Sequence, residues 1–220
     1  GLRILTDDDI ERALTDDDAR VRAAAVQAAA PRLQGPDGGR LLTFLAPRVA
    51  TEDPMVLAIV ALSLSGTQNS QALDLLWNLL PRAVEHPSLA DSVIIAFQGR
   101  EPALLHRLQG RIVSDRRLGF GDQKLLETLG VHLAVTGGAG VEALTGAITN
   151  RDIPQLGRIA LMRGATSLRS AALPESTLAR LASSAPDGWV RRRADEIIAS
   201  MPRRDPARGP LAPLTADEQT

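Results

Sequence analysis

The sequence predicts an all-α fold, arranged as an α-solenoid of about six irregular helix pairs. Apolar residues recur at helical spacing, whereas no segment alternates apolar and polar residues over a sustained length as a strand does. Short acidic or polar segments also recur at intervals of 30 to 36 residues. An interval of this length is typical of arrays in which each repeat is one small helical unit.

The recurring segments lie just before the second helix of each pair. Their anchor residues are Asp18, Asp53, His86, Asp122, Asp152 and Asp187. An aspartate at this place accepts hydrogen bonds from the free backbone N–H groups of the first turn and stabilises the positive end of the helix dipole. We therefore expect Asp18, Asp53 and Asp187 to cap their helices, with Pro54 in a tolerated first-turn position.

In the first three units the expected helices follow from caps, turns and apolar stripes. Acidic clusters at 7–9 and 16–18 begin the helices of the first pair, and a glycine-rich turn at 35–39 separates it from the second. The third unit holds the clearest stripe, formed by Leu73, Leu76, Trp77 and Leu80. The expected spans are 8–14 and 19–30, 37–49 and 54–64, and 70–84 and 88–98.

The last three units are less regular. A longer connection separates the two helices of the fourth unit, and glycines at 137–140 end its second helix. The expected spans are 102–108 and 122–135, 141–148 and 153–162, and 174–182 and 189–200. Residues 1–201 are thus expected to form the solenoid. Residues 202–220 carry prolines that cannot continue a helix, so a Pro-rich extended tail or linker is expected there.

Two segments resemble HEAT-type repeats. Residues 14–25 read Leu-Thr-Asp-Asp-Asp-Ala-Arg-Val-Arg-Ala-Ala-Ala, and their pattern Asp-x-x-Val-Arg-x-x-Ala recurs at 187–194. In that family the Asp and the Arg of this pattern help to tie adjacent repeats together. The resemblance covers residues 7–200 and weakens in the middle units. There the arginine position is held by Leu57, Leu126 and Leu156. The resemblance to HEAT-type repeats implies an α-solenoid, a fold that serves many functions.

A narrower resemblance concerns the longer protein to which such a segment would belong. Residues 52–66 and 92–101, with the tail at 210–220, are similar to the HEAT section of large secreted proteins from planctomycete-type genomes. Those proteins join a dehydrogenase-like β-propeller, a HEAT array and a cytochrome c-type domain. The resemblance implies a periplasmic or secreted redox parent, while a cytoplasmic location stays open. No cofactor is expected in this segment, and haem c would be held beyond Thr220.

The composition excludes several classes of function. The chain of 220 residues has no Cys, 2% aromatic residues and a net charge of −1. Without Cys, these residues hold no disulfide framework, thiolate metal site, Cys nucleophile or covalently attached haem. The near-neutral charge argues against broad DNA binding, and the scarcity of aromatic residues argues against a stacking surface for single strands. No apolar stretch is long enough for a membrane span.

The basic end of the chain holds the residues best suited to face a partner. They are Arg191, Arg192, Arg193, Arg203 and Arg204. Residues 186–210 have a net charge of +2, whereas residues 1–18 have a net charge of −5. An acidic protein surface or a nucleic acid backbone would suit the basic end. The alternative is a polar last repeat that caps the array, as solenoids require.

No catalytic, cofactor or metal site is predicted. His86, His106 and His132 share no helical face, so a metal site would need convergence in the tertiary structure. The aspartate clusters lack the ligand spacing and central glycine of a calcium loop, and helix capping explains them. The glycine-rich turns follow no strand and lack the Lys-Ser/Thr of a phosphate loop.

The predicted function is that of a non-catalytic HEAT-repeat scaffold, spacer or interaction domain. Its partners would be another protein or flanking domains of the same polypeptide. One alternative is a free-standing protein-binding HEAT domain, and another is a HEAT-like enzyme, either a tetrapyrrole lyase or a DNA base glycosylase. A glycosylase would need aromatic residues around an extruded base. Trp77 and Trp189 lie far apart in the chain, so no such cluster is predicted.

Overall fold

The computed structural model describes residues 5–35, 38–115, 118–167 and 173–201. Over these residues the chain forms twelve α-helices, one short 3-10 helix (Ala46–Arg48) and no strand, which confirms the predicted all-α class. The α-helices, in chain order, are α1 (Asp7–Ala13), α2 (Ala19–Gln34), α3 (Gly39–Leu45), α4 (Pro54–Ser63), α5 (Ser70–Glu85), α6 (Pro87–Ala96), α7 (Glu101–Asp115), α8 (Phe120–Thr136), α9 (Gly138–Thr149), α10 (Gln155–Ala165), α11 (Glu175–Ser184) and α12 (Gly188–Ser200).

The largest departure from the expected spans is α7, which is about twice as long as predicted. It continues past residue 108 because Leu108 and Ile112, one turn apart, are both buried and extend the apolar face. Gly110 lies exposed between them and does not end the helix. A glycine inside a helix costs about 1 kcal/mol relative to alanine, which the buried leucine and isoleucine offset.

Other boundaries also differ from the expected spans, three of them for a clear physical reason. Helix α2 runs through Pro31 to Gln34, because Leu33 beyond the proline is fully buried. The expected helix 37–49 ends at Leu45 and continues only as the 3-10 turn that contains Pro47. Helix α9 begins at Gly138, where positive φ angles of 70° at Gly137 and 39° at Gly138 reverse the chain in the region that favours glycine.

Two of the three expected aspartate caps are confirmed. Asp18 accepts a hydrogen bond from the N–H of Arg20 at 2.8 Å, and Asp53 accepts one from the N–H of Met55 at 2.8 Å. The prediction for Asp187 is wrong, because its side chain makes no capping hydrogen bond to α12. The carboxylate is instead buried against Arg158 of α10.

The even-numbered helices pack on one another in chain order, so that α2 contacts α4, α4 contacts α6, α6 contacts α8, α8 contacts α10 and α10 contacts α12. Among the odd-numbered helices α1 contacts α3, α3 contacts α5, α7 contacts α9 and α9 contacts α11. Helix α5 also packs on α8. The buried apolar side chains of these helices form one continuous core from Ile10 to Ala194.

Helices α8 and α10 approach each other closely at two glycines. A Cβ atom placed on Gly130 of α8 would overlap the carbonyl oxygen of Leu161. A Cβ atom on Gly164 of α10 would overlap the carbonyl oxygen of Glu127. The two backbones therefore meet where neither helix carries a side chain.

Candidate functional site

An arginine occupies the fourth position of three even-numbered helices, at Arg22 in α2, Arg158 in α10 and Arg191 in α12. In each case Nη1 donates hydrogen bonds to backbone carbonyls of the loop that leads into its own helix. The position is Leu57 in α4, as expected, Ala90 in α6, and in α8 Gln123 rather than the expected Leu126, because α8 begins at Phe120. Among the even-numbered helices the arginine pattern is therefore confined to the first one and the last two.

Arg22 joins the first pair of helices to the next even-numbered helix. Its Nη2 donates to Oε1 of Glu52 at 2.8 Å, and Glu52 lies in the loop before α4. Its Nη1 donates to the carbonyl oxygens of Asp16 and Asp17 at 2.7 and 3.0 Å. The hydrogen bond to Glu52 is the main cause that raises the pKa of Arg22 above its ordinary value. Arg22 thus connects the loop before α2 to the loop before α4.

Arg158 makes the corresponding connection between α10 and α12, and it does so in a buried place. Its Nε lies 2.6 Å from Oδ2 of Asp187 and its Nη2 donates to Oδ1 at 3.0 Å. The exposed fractions of the two side chains are only 9% and 6%. Nη1 donates to the carbonyl oxygens of Asn150, at 3.2 Å, and Ile153.

The expectation that Leu156 holds this arginine position is wrong. Helix α10 begins at Gln155, two residues later than the expected start at 153, so the fourth residue is Arg158. Pro154, which precedes the helix, was the signal in the sequence that could have placed this start correctly. Leu156 is half exposed instead.

Of the five arginines predicted to face a partner, the structure describes three. Arg191 donates to the carbonyl oxygen of Ala185 at 2.7 Å, so it serves its own loop. Arg193 pairs with Glu196 on the surface at 3.2 Å. Arg192 is exposed and makes no hydrogen bond or ion pair with the described residues. Arg203, Arg204 and the expected tail at 202–220 lie outside the described residues.

A groove of about 480 Å³ lies where α6 and α8 end and α7 begins. No local pattern in the sequence indicates this groove, because its residues come from separate helices. Its walls include Ile95, Gln98, Glu101, His132, Val135 and Thr136. A groove of this size accommodates a few side chains of a partner and falls in the range of small binding pockets.

Exposed apolar side chains lie at the C-terminal ends of three successive even-numbered helices. Leu62, Ile95 and Val135 are the next-to-last residues of α4, α6 and α8, and 42%, 40% and 62% of their surfaces are exposed. Hydrogen bonds hold the helix ends in register, because Gln34 donates to the carbonyl oxygen of Ser63 at 2.9 Å and Ser65 donates to that of Ile95 at 3.4 Å. Ile95 and Val135 line the same groove, and Leu62 lies at the corresponding end of the neighbouring α4.

Glu101 is the unusual member of the groove wall. It is the first residue of α7, only 2% of its surface is exposed, and its Oε2 has no hydrogen-bond partner among the described residues. A buried carboxylate oxygen without a donor is costly, since burial removes the water that would solvate it. Because Glu101 is also one of the residues that line the groove, a donor seated in the groove would lie beside this carboxylate.

The remaining candidates from the sequence stay apart. The described residues contain no cluster of three or more His, Asp or Glu that could hold a metal ion. The indole of Trp77 packs on Phe97 with ring centroids 4.3 Å apart and carries Arg107 on its face, whereas Trp189 lies beneath Arg163. The two tryptophans therefore belong to separate contacts.

None of the helices in the described part of the chain is both long enough and apolar enough to cross a membrane. Comparisons with protein-family models, with curated proteins and with solved structures gave no match to this chain.

Proposed function

We propose that this chain is a non-catalytic α-solenoid scaffold of HEAT type, which holds flanking domains or a bound protein at a fixed spacing. The observation that carries the proposal is the chain-order packing of α2, α4, α6, α8, α10 and α12. In a solenoid each helix pair contacts its neighbours, and the stack as a whole sets the distance between its ends.

The arginine contacts supply a mechanism for that fixed spacing. Arg22 with Glu52, and Arg158 with Asp187, each join the start of one even-numbered helix to the start of the next. Because each guanidinium also binds the carbonyls of its own loop, it restrains the rotation of one helix pair against the next. Such restraints favour a stiff spacer over a chain of freely hinged pairs.

The solenoid arrangement is tested by whether a substitution at Arg158 destabilises only the neighbouring helices. Substitution Arg158→Met removes the contact between α10 and α12, and in a stack the damage stays with the neighbouring pairs. We expect backbone amides in α11 and α12 to exchange with deuterium faster, while amides in α2 and α4 exchange as before. Arg193→Met, on the surface of α12, is the matched control and leaves all rates unchanged.

The opposite result contradicts the proposal. If Arg158→Met accelerates exchange uniformly from α2 to α12, the molecule unfolds as one unit around a single core. The chain would then be one cooperative helical domain rather than a spacer in which each helix pair is stabilised by its neighbours.

We further infer that the segment belongs to a larger secreted redox protein that carries haem c beyond Thr220, with this chain as the spacer between its domains. The support is the resemblance of residues 52–66 and 92–101 to the HEAT section of such proteins. The coding sequence that follows residue 220 tests this placement. A Cys-x-x-Cys-His motif shortly downstream supports it, and a stop codon directly after residue 220 contradicts it.

The absence of catalysis is a separate part of the proposal. A haem titration followed by absorbance, on the chain as given, is expected to show no stoichiometric complex. Stoichiometric haem binding, or turnover of any substrate by the isolated chain, would overturn the non-catalytic assignment.

A further inference from the structure

The groove at the ends of α6 and α8 combines two features that a protein surface seldom leaves unused. One is the unpartnered Oε2 of Glu101, in a side chain that is almost completely buried. The other is a pair of exposed apolar side chains, Ile95 and Val135, in the walls of the same groove. An acceptor beside apolar surface is complementary to a ligand that has both a charged donor and an apolar group.

The nearest basic side chains along the sequence are engaged elsewhere and leave Glu101 without a cation. The guanidinium of Arg100 donates to Oε1 of Gln68 at 2.9 Å. The guanidinium of Arg107 lies over the ring of Trp77, 4.7 Å from its centroid. The start of α7 offsets part of the carboxylate charge through the helix dipole, but it supplies no hydrogen bond to Oε2.

The chemistry of the groove selects among possible ligands. A metal ion requires several oxygen or nitrogen ligands, and the described residues that line the groove offer only one carboxylate, Glu101, and one imidazole, His132. A nucleic acid is disfavoured by charge, since the described residues that line the groove include a carboxylate and neither arginine nor lysine. A lysine or arginine of a protein segment fits, because its long apolar stem carries the donor down to a buried acceptor.

We propose that this groove binds an extended protein segment that places a lysine or arginine against Glu101 and an aliphatic side chain between Ile95 and Val135. The inference rests on the proposed scaffold function and adds the chemistry of the partner to it. Leu62, at the same position of α4, extends the apolar surface along which the segment runs.

Labelled peptides test this recognition directly. Four probes carry one leucine and one arginine separated by one to four alanines, and four matched probes carry citrulline, a neutral analogue of arginine, at the same place. Fluorescence anisotropy with the full chain is expected to show that at least one arginine peptide binds with a Kd about tenfold or more below that of its citrulline partner.

Variants of the groove identify the responsible residue. Glu101→Gln keeps the shape of the side chain and is expected to abolish the preference for arginine, so that both peptides of a pair bind alike. Val135→Asp weakens the binding of both peptides, because it places a charge in the apolar part of the groove. Glu142→Gln, which removes an exposed carboxylate of α9, keeps the full preference and serves as the matched control.

Three outcomes would overturn the proposal. The first is an arginine preference that persists in Glu101→Gln, and the second is that none of the eight peptides binds. The third is a dimer, detected by sedimentation, that Val135→Asp dissociates, because a second copy of the chain would then occupy the groove. Each variant is first melted, and one with a collapsed Tm is replaced by Glu101→Met or Val135→Ser. The exchange experiment on Arg158 does not involve the groove, so failure here leaves the scaffold proposal standing.

Discussion

Arg158 and Asp187 form the most deeply buried ion pair among the described residues. Removing two charges from water costs several kcal/mol per ion, and only close hydrogen bonds recover that cost. Both carboxylate oxygens of Asp187 accept from the guanidinium, whose Nη1 binds loop carbonyls. The pair is therefore well satisfied as a unit, and either partner alone would be a buried charge without a counter-ion.

Loss of one partner of this pair is expected to be severe. Arg158→Met should lower the free energy of unfolding by about 3–5 kcal/mol, because Asp187 keeps its charge in a buried place. The double variant Arg158→Met/Asp187→Leu should recover part of that loss. Urea denaturation measures both. Arg193→Met, at an exposed pair, should change stability by less than about 1 kcal/mol, and a similarly small effect at Arg158 would contradict the assignment.

Replacing Glu101 should stabilise the chain, whereas replacing Arg158 destabilises it, because Glu101 is buried without a hydrogen-bond partner. Glu101→Met removes an uncompensated charge, and we expect it to raise the free energy of unfolding of the free chain by about 1 kcal/mol. Thermal melting followed by circular dichroism measures the change against Glu142→Met, which should be neutral. A drop in Tm at Glu101→Met would show that the carboxylate stabilises the fold, contrary to a role in binding.

At the scale of helices, the contact between α8 and α10 depends on missing side chains. Gly164 lies so close to the carbonyl oxygen of Glu127 that a methyl group cannot enter without moving a backbone. Gly146 of α9 is exposed, and a Cβ atom there meets nothing within 4 Å. Both glycines lie inside helices, but Gly164 is packed against a neighbouring backbone and Gly146 faces open space.

The same substitution at these two glycines should therefore have opposite signs. Gly164→Ala is expected to destabilise the chain by about 1–3 kcal/mol through overpacking. Gly146→Ala should stabilise it by up to about 1 kcal/mol, since alanine favours the helix and no clash opposes it. Chemical denaturation of both variants checks this pair. Equal effects at the two sites would mean that α8 and α10 are not in such close contact.

The positions of the helices could be predicted from the sequence, because caps and apolar periodicity are local properties. The contacts between helices could not. Arg158 was missed because a shift of two residues in the start of α10 changes which residue holds the fourth position. The local sequence predicts a cap at Asp187, because its actual partner, Arg158, is 29 residues away in the chain. Glu101 is one of many acidic residues, and only packing shows that it is buried.

At the scale of the whole molecule, the acidic beginning of the chain is largely neutralised by nearby helices. Asp7 pairs with Arg32 at 2.7 Å, and Asp8 and Glu11 pair with Arg40 at 2.6 and 2.7 Å. The contacts with Glu11 and Asp8, above all the hydrogen bond that Arg40 donates to Glu11, raise the pKa of Arg40 well above its ordinary value. The charge asymmetry seen in the sequence therefore serves to fasten α1 to α2 and α3.

The central claim is that the helix pairs stack in one direction, so that the chain acts as a spacer. Because the chain has no Cys, pairs of spin labels can be placed at introduced cysteines without interference. One label stays at Ala28 in α2, and the second is placed at exposed residues of α6, α8 and α12, namely Asp91, Lys124 and Asp195.

Pulsed electron paramagnetic resonance then measures the distance from α2 to each later helix. With about 8–10 Å between packed helices, the distance should rise at each step and reach roughly 40–50 Å at α12, with a narrow distribution. A label on α12 that is as close to α2 as the label on α6 would contradict the stack, and with it the proposed spacer.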